Sequence, residues 1–421
     1  MKFLLMPNDM GGGGGHFFRM VALADKLLQA GHQPLFIVHQ KKFARYLELK
    51  NIRYKRLLTG FWNIKQIVTG YAPRPLNKKA YREAIFWEIP DLSYQVIRDG
   101  IWSLQELNRR MLIIEHQIQL WRPECIISDG HLLAGIIGKK MSIPVVQIAR
   151  KISFPETSSL LWWKNEANYK FPDLSVLFPN GALNGVSVNK LLFSADKLLI
   201  PSYYPLEPYE GSVPHLYCGA LIRYPFPKLD KASKRDVIYI TSGSGAKKNN
   251  LVLLLPVIEY VQKHTDCKIV ISDPYHYFHK MIPVSDKLTI QDWVDNAAIM
   301  KQTRLVISHG GYGTMMDAFV HGVPSIIVPF HSEQEGNGRS IVRSGMGMLH
   351  LLHDLNLEKL KFNWKFGEFE MGISTRSTPS YESMFDHIES LLADSEHYID
   401  QSNSIRKDVE DSLIINFIKD W

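Results

Sequence analysis

The amino-acid sequence predicts an α/β protein built from two Rossmann-like domains that face each other across a cleft. Three observations carry that expectation. A short apolar run at 2–7 leads into five consecutive glycines, after which apolar residues recur at helical spacing; this is the strand–turn–helix order of a nucleotide-binding unit. A second series of apolar runs with helical stretches between them begins at Asp236. Between the two series, Pro201, Pro205, Pro208, Pro214, Pro225 and Pro227 punctuate the chain and mark a join.

In the first domain the strand at 2–7 is followed by a loop at 8–15. From His16, the residues Phe17, Met20, Val21, Ala24, Leu27 and Leu28 share a helical face, and Gly31 ends that helix. Strands follow at 34–38 and 51–57. Positions 58–120 are rich in aromatic and basic residues. A strand at 124–128 ends at Asp129, a helix starts near His131, and another strand covers 143–149. In the second domain the strands fall at 236–241, 269–272, 305–308, 325–329 and 348–351. Strands alternating with helices imply parallel sheets. The expected organisation is 1–205 as a first domain, 206–230 as a Pro-rich linker, 231–395 as a second domain, and 396–421 as a C-terminal helix packing back on the first.

The 421 residues suffice for two or three domains, and 45% hydrophobic with 22% charged residues excludes disorder. Three cysteines without a C-x-x-C argue against a disulfide framework or a structural zinc knuckle and for a reducing compartment. The opening apolar run is too short for a signal peptide, and no run nears the ~18 apolar residues of a membrane span, so a soluble cytoplasmic protein is expected. The net charge of +7 is uneven: Lys41, Lys42, Arg45, Lys50, Arg53, Lys55 and Arg56 face a single acid, Glu48, between 41 and 56. This is either a solvated face that keeps the protein soluble or a patch for an acidic substrate or the anionic inner face of a membrane. No RNA- or DNA-binding signature accompanies the charge, so nucleic acid is not an expected partner.

The strongest motif is Ser308-His309-Gly310-Gly311-Tyr312-Gly313-Thr314, which follows an apolar strand and opens a helix. Glycines let the backbone approach a phosphate, and the helix N-terminus offers free N–H groups and a positive dipole end. A tight strand-to-helix turn would use the same glycines. Thr314 adds a hydroxyl, His309 a ring N–H, and Asp317 a carboxylate for ribose hydroxyls. Past the next strand, Glu333 and Gln334 supply an acid and an amide for sugar hydroxyls, and Asn337 follows as a further candidate donor-binding residue. Ser242, Gly243, Ser244 and Gly245 follow the first strand of the second domain and can form a nest of N–H groups. Trp293, followed by Val294, either stacks on a base or belongs to the core. In the first domain Gly14, Gly15 and His16 open a helix; His16 is a general base if it faces the cleft. Asp129 either orients that histidine or caps the helix after it. Arg19 faces an anion or solvent. His276 and His279 form a weak metal pair.

Together, 308–347 resemble the donor-binding segment of GT-B glycosyltransferases that use UDP- or dTDP-sugars. His309, Gly310, Gly311, Gly313, Thr314, Gly322, Val323, Pro324, Pro329, Glu333, Gln334 and Asn337 fall in register with that family's pattern. The resemblance implies that His309 and the 311–314 backbone hold the diphosphate, Asp317 the ribose, Glu333 and Gln334 the sugar, Trp293 and the Val294 backbone the base, and His16 with Asp129 the acceptor proton. It implies an inverting, metal-independent transfer, with a nucleotide sugar as co-substrate and no cofactor. Two residues depart from the pattern. Asp317 stands where the family usually has Glu, and Arg19 where it often has Pro; Gly-His-x-x-Arg resembles the related nucleotide-sugar hydrolases. The acceptor, a small or lipid-linked molecule, is expected over 58–110 and 150–190, where Phe61, Trp62, Trp87, Trp102, Phe154, Trp162 and Trp163 lie. Those aromatics are otherwise core. The alternatives are hydrolysis or epimerisation of the nucleotide sugar on the same fold, or binding without catalysis.

Overall fold

Strands buried on both faces alternate with amphipathic helices to build two parallel sheets. The fold is that of a computed structural model, which describes residues 1–9, 14–57, 79–89, 95, 104–154, 161–164, 182–183, 186–191, 194–224, 226–229, 231, 234–243, 248–274, 276–364, 367–377, 380–406 and 411–420.

The first sheet contains β1 (Lys2–Pro7), β2 (Gln33–Val38), β3 (Tyr54–Arg56), β4 (Cys125–Asp129), β5 (Val145–Ile148), β6 (Lys197–Ile200) and β7 (His215–Tyr217), in the order β7-β6-β5-β4-β1-β2-β3. Its helices include α1 (Gly15–Gln29), α2 (Lys41–Leu49), α3 (Leu104–Trp121) and α4 (Ala134–Met141). Phe3, Leu5, Phe17, Phe36 and Ile127 pack between β-sheet and α1 with no exposed surface. Burial of that kind contributes ~1.5–3 kcal/mol per large side chain. Gly31 sits just past α1 at φ +76°, the left-handed conformation expected of a helix-ending glycine. The strand expected at 51–57 shrinks to three residues, and the helix expected near 131 starts at 134.

The second sheet contains β8 (Val237–Thr241), β9 (Lys268–Ser272), β10 (Leu288–Gln291), β11 (Thr303–Ser308), β12 (Ser325–Ile327) and β13 (Gly347–Leu349), in the order β10-β9-β8-β11-β12-β13. α5 (Tyr312–Val320), α6 (Ser332–Arg343) and α7 (Tyr381–Ala393) pack around it. A hairpin of β14 (Glu358–Trp364) and β15 (Gly367–Ser374) adds an antiparallel element.

Three features depart from the sequence reading. The Pro-rich segment is not all connector, because β7 lies inside it and extends the first sheet. Pro214 precedes β7 at the sheet edge, where a missing N–H costs no ladder bond. Second, Trp87 is not on an acceptor surface. The strand Phe86–Glu88 crosses to the second lobe and pairs antiparallel with β15. There Trp87 is buried in the second lobe's core and its N–H donates to the Phe330 carbonyl at 3.2 Å. Third, Phe154 is a core residue packed against Tyr209. Trp162 and Trp163 lie against α6 of the second lobe, with Arg343 over the Trp162 ring at 5.0 Å and Arg339 over Trp163 at 5.7 Å. Phe61, Trp62 and Trp102 lie outside the described residues. From the C-terminal end, α8 (Asp411–Lys419) buries Ile414 and Ile418 in the first lobe's core, and the Phe417 carbonyl accepts from Lys197 Nζ at 2.8 Å. No described helix is long and apolar enough to cross a membrane.

Candidate active site

The C-terminal ends of the first sheet's strands carry charge. Asp9 follows β1, His39 follows β2, Asp129 ends β4 and Arg150 lies just past β5. This is the end of an open parallel sheet where ligands bind. His16 stands in the first turn of α1 and its Nδ1 donates to Asp129 Oδ1 at 2.6 Å. Neutral His16 then carries its lone pair on Nε2, the atom a general base uses. Gly130 makes room for the ring. It sits at φ +69°, and a Cβ there would lie 3.1 Å from His16 Cε1.

Arg19, one turn further along α1, closes on the same carboxylate. Its Nε donates to Asp129 Oδ2 at 2.9 Å and its Nη2 to Oδ1 at 2.8 Å, a bidentate pair. Arg19 therefore faces an anion of the protein itself, and Asp129 is no helix cap: Leu133 occupies that position on α4. Burial opposes ionisation of Asp129, but Arg19 and then His16 outweigh it and hold the carboxyl below its ordinary range. A second His–Asp pair lies nearby. His39 Nδ1 donates to Asp9 Oδ1 at 2.6 Å, and the His131 ring stacks on His39. Exposure separates the two pairs: the His16 side chain is 36% exposed and that of His39 5%. His16 is the more accessible of the two histidines.

Across the cleft, His309 follows β11 with its ring between Gly243 and Gly311. Gly243 sits at φ +68°, and a Cβ there would lie 2.3 Å from His309 Cε1. Burial lowers the ring's pKa to about 4, so the imidazole is neutral. Its Nδ1 is buried and meets no hydrogen-bond partner among the described residues. α5 begins at Tyr312 with Gly311 as N-cap, and no side chain caps it. Gly313 is exposed and Thr314 half-buried in that first turn. The N–H groups of an uncapped helix start suit an anion. Ser242 is buried after β8, and the Gly243 N–H donates to Thr241 Oγ1. Ser244 and Gly245 lie outside the described residues, as do Gly11, Gly12 and Gly13; Gly14 and Gly15 open α1.

The other expected donor residues divide. Trp293 is 76% exposed, so it is not a core residue, whereas Val294 is buried. Asp317 is buried with both oxygens engaged: Tyr224 donates to Oδ1, and Asn296 Nδ2 to Oδ2 at 2.7 Å. Burial raises its pKa. Glu333 is exposed at the start of α6. Desolvation works against its charge, yet His331, Arg150, His16 and Arg19 together hold its carboxyl below the usual range. Gln334 is turned inward, its Oε1 accepting the Phe330 N–H at 2.8 Å. Asn337 is spent inside the protein. Its Nδ2 donates to the Gly310 carbonyl at 2.7 Å, and its Oδ1 accepts from Arg150 Nη2 at 2.8 Å. Asn337 thus ties the glycine turn to the first lobe instead of facing a sugar.

The sequence reading missed the residues that join the lobes. Arg150 pairs with buried Glu207 at 2.6 Å. Its guanidinium lies 4.3 Å from the Tyr312 ring centroid, and that of Arg19 lies 4.7 Å from it. The Tyr312 hydroxyl donates to the Pro201 carbonyl. A charged residue just past a parallel strand was the available signal for Arg150. Tyr312 has none, since its partners come from three distant segments.

Comparison with known proteins bears on this arrangement. Residues 237–365 match the glycosyltransferase family 28 C-terminal domain. A Caenorhabditis elegans protein assigned as a UDP-glucuronosyltransferase, ugt-48, is 33% identical over 27% of this chain and 23% of its own length. An uncharacterized glycosyltransferase of Methanosarcina acetivorans is 25% identical over 80% of this chain and 83% of its own. The spinosyn rhamnosyltransferase SpnG complexed with thymidine diphosphate superposes with a TM-score of 0.62 at 17% identity, covering the whole of both chains. The chain has the GT-B fold, two Rossmann-like lobes with strand ends turned toward each other. Its second lobe is similar to the family 28 C-terminal domain over residues 237–365, and the protein is a glycosyltransferase.

Proposed function

We propose that this glycosyltransferase moves a sugar from a UDP- or dTDP-sugar to a hydroxyl of a small or lipid-linked acceptor, with inversion at the anomeric carbon. The observation that carries the reading is the facing of two groups across the cleft. The half-buried His16, held by Asp129, lies on the first lobe, and Glu333, whose carboxyl His331, Arg150, His16 and Arg19 hold below its usual range, opens α6 of the second. In this reading Glu333 engages the donor sugar and His16 the acceptor. His16 Nε2 takes the acceptor proton as the oxygen attacks the anomeric carbon and the bond to the diphosphate breaks. Asp129 fixes the tautomer and stabilises the imidazolium that forms, and Arg19 holds Asp129 ionised and in place. The departing diphosphate meets the open N–H groups of α5, Thr314 and His309, donors in position before charge develops. These donors do the work without requiring a metal ion. The exposed Trp293 offers its face to the base. Asp317, with Tyr224 and Asn296 already bound, reaches a ribose hydroxyl through its remaining lone pairs or through water.

SpnG, a structural neighbour, has also been solved with spinosyn aglycone, which supports a small-molecule acceptor. Lys41, Lys42 and Arg45 are exposed on α2, whose Phe43, Ala44 and Leu47 are buried. That basic face allows a cytoplasmic enzyme to touch an anionic membrane when its acceptor is lipid-linked.

NMR of purified protein with a panel of UDP- and dTDP-sugars tests the reading. A donor stable alone but consumed with an acceptor, giving the inverted glycoside, is the expected result. Release of free sugar without acceptor, lost in His16→Ala, would mean that water is the natural acceptor and that the chain is a hydrolase.

A further inference from the structure

At the rim of the second lobe, His276, His279 and Asp292 bring one ligating atom each within 4.8 Å of one another. Among the described residues this is the one group of three metal-ligating side chains that converges so closely. From this juxtaposition we propose that the loops after β9 and β10 form a binding site for a divalent transition-metal ion, Zn²⁺ by its ligand chemistry. His276 Nδ1 lies 3.3 Å from Asp292 Oδ1, and His279 Nε2 lies 3.9 Å from the same oxygen. Zn–N and Zn–O bonds of ~2.0–2.2 Å at tetrahedral angles put ligand atoms roughly 3.3–3.5 Å apart. The first separation fits as it stands, the second is about 0.5 Å long, and all three ligand atoms lie within 4.8 Å of one another, so closing the set asks for a swing of exposed side chains.

The set is supported from behind. His279 Nδ1 donates to Asp273 Oδ2 at 3.2 Å. Asp273 is itself buried, and it accepts the backbone N–H groups of Tyr277, Phe278 and His279. A carboxylate on the far nitrogen fixes the histidine tautomer and leaves Nε2 as the metal-binding atom, the arrangement found behind zinc-bound histidines. His276 holds a left-handed backbone at φ +56°, uncommon for a residue other than glycine. Two imidazoles and one carboxylate favour Zn²⁺ over Mg²⁺ or Ca²⁺, which prefer all-oxygen shells.

The site's place in the fold gives it a use. β10 is the edge strand of its sheet, so the loop that follows is held from one side only. That loop runs Asp292-Trp293. A metal bridging Asp292 to the loop after β9 would pin the rim on which Trp293 is exposed. The site lies apart from His16 and Asp129, and its occupancy is measured without turnover, so it stands or falls independently of the transfer reading.

The test is a zinc titration of tag-free, chelator-stripped full-length protein against a chromophoric competitor. Expected is one equivalent bound with a Kd at or below the micromolar range, weakened at least tenfold in His276→Ala and in His279→Ala. Co²⁺ in place of zinc should give the visible absorption of a tetrahedral site, lost in the double variant. Circular dichroism verifies that the variants fold, as expected for side chains this exposed. No saturable binding by the wild-type protein, or binding unchanged in the double variant, would overturn the site and reduce the three contacts to surface ion pairs.

Discussion

Asp129 accepts from both Arg19 and His16 on one buried carboxylate, and its replacement removes both contacts. The pair with Arg19 is bidentate and nearly solvent-free, with side chains 8% and 2% exposed. Breaking such a pair from one side strands a buried charge and costs ~3–5 kcal/mol. Asp129→Asn should therefore lower stability by about that amount in urea melts, besides lowering turnover. Arg19→Lys keeps the charge but not the fork, and should lose less stability than Asp129→Asn. At this scale the His16–Asp129 pair was legible only through the resemblance, because a helix-opening histidine and an acid ending a parallel strand leave their distance open. The Arg19 partner was not, since its spacing from His16 puts it on the same face whether it meets a protein carboxylate or a ligand. Nor was the inward turn of Gln334 and Asn337. Polar residues in register with a binding motif serve equally well as internal struts, and only their partners distinguish the two roles.

At the scale of elements, the donor turn depends on His309 lying where glycines leave space. Gly243→Ala puts a methyl 2.3 Å from the ring in a backbone conformation that alanine resists. The expected outcome is displacement of His309 and at least tenfold weaker binding of UDP or dTDP by calorimetry, with the sheet's circular dichroism unchanged. Equal affinity would remove His309 from the diphosphate site. The central strands and the glycine turns were readable from apolar runs bounded by turn residues. The edge strands β7 and β10 were not, and neither was β6 beside β7. Three or four residues carry too little periodicity, and β7 was masked by the prolines around it. The crossing of Phe86–Glu88 to the second lobe was equally hidden, since nothing local in that tripeptide names β15 as its partner.

For the whole molecule, the lobes are joined by Arg150, Glu207, Tyr312 and Asn337, and each lobe also holds buried histidines in the neutral form. Burial lowers the pKa of His309, His321, His350 and His353 to about 4 and that of His131 to about 3. Unfolded, each titrates near ~6.5. Between those values the unfolded chain binds more protons than the native one, so acidification favours unfolding. The urea midpoint should fall steadily from pH 6.5 to pH 4 and be flat with respect to these groups above pH 7. A midpoint insensitive to pH across that window would mean that the histidines are not buried as described. Two domains and a join were legible at this scale, because alternation and proline content are properties of long stretches. The cross-lobe contacts depend on pairs as far apart as Arg150 and Asn337, which no window of sequence contains.

The central claim is that His16 takes the acceptor proton while the second lobe holds the donor. Measuring donor affinity and turnover side by side in His16→Ala tests it most directly. The expected result is an unchanged Kd for the nucleoside diphosphate, with turnover lowered by a factor of ~10²–10⁴, the usual loss of a general base. Turnover within a few-fold of wild type, at saturating donor and acceptor, would contradict it.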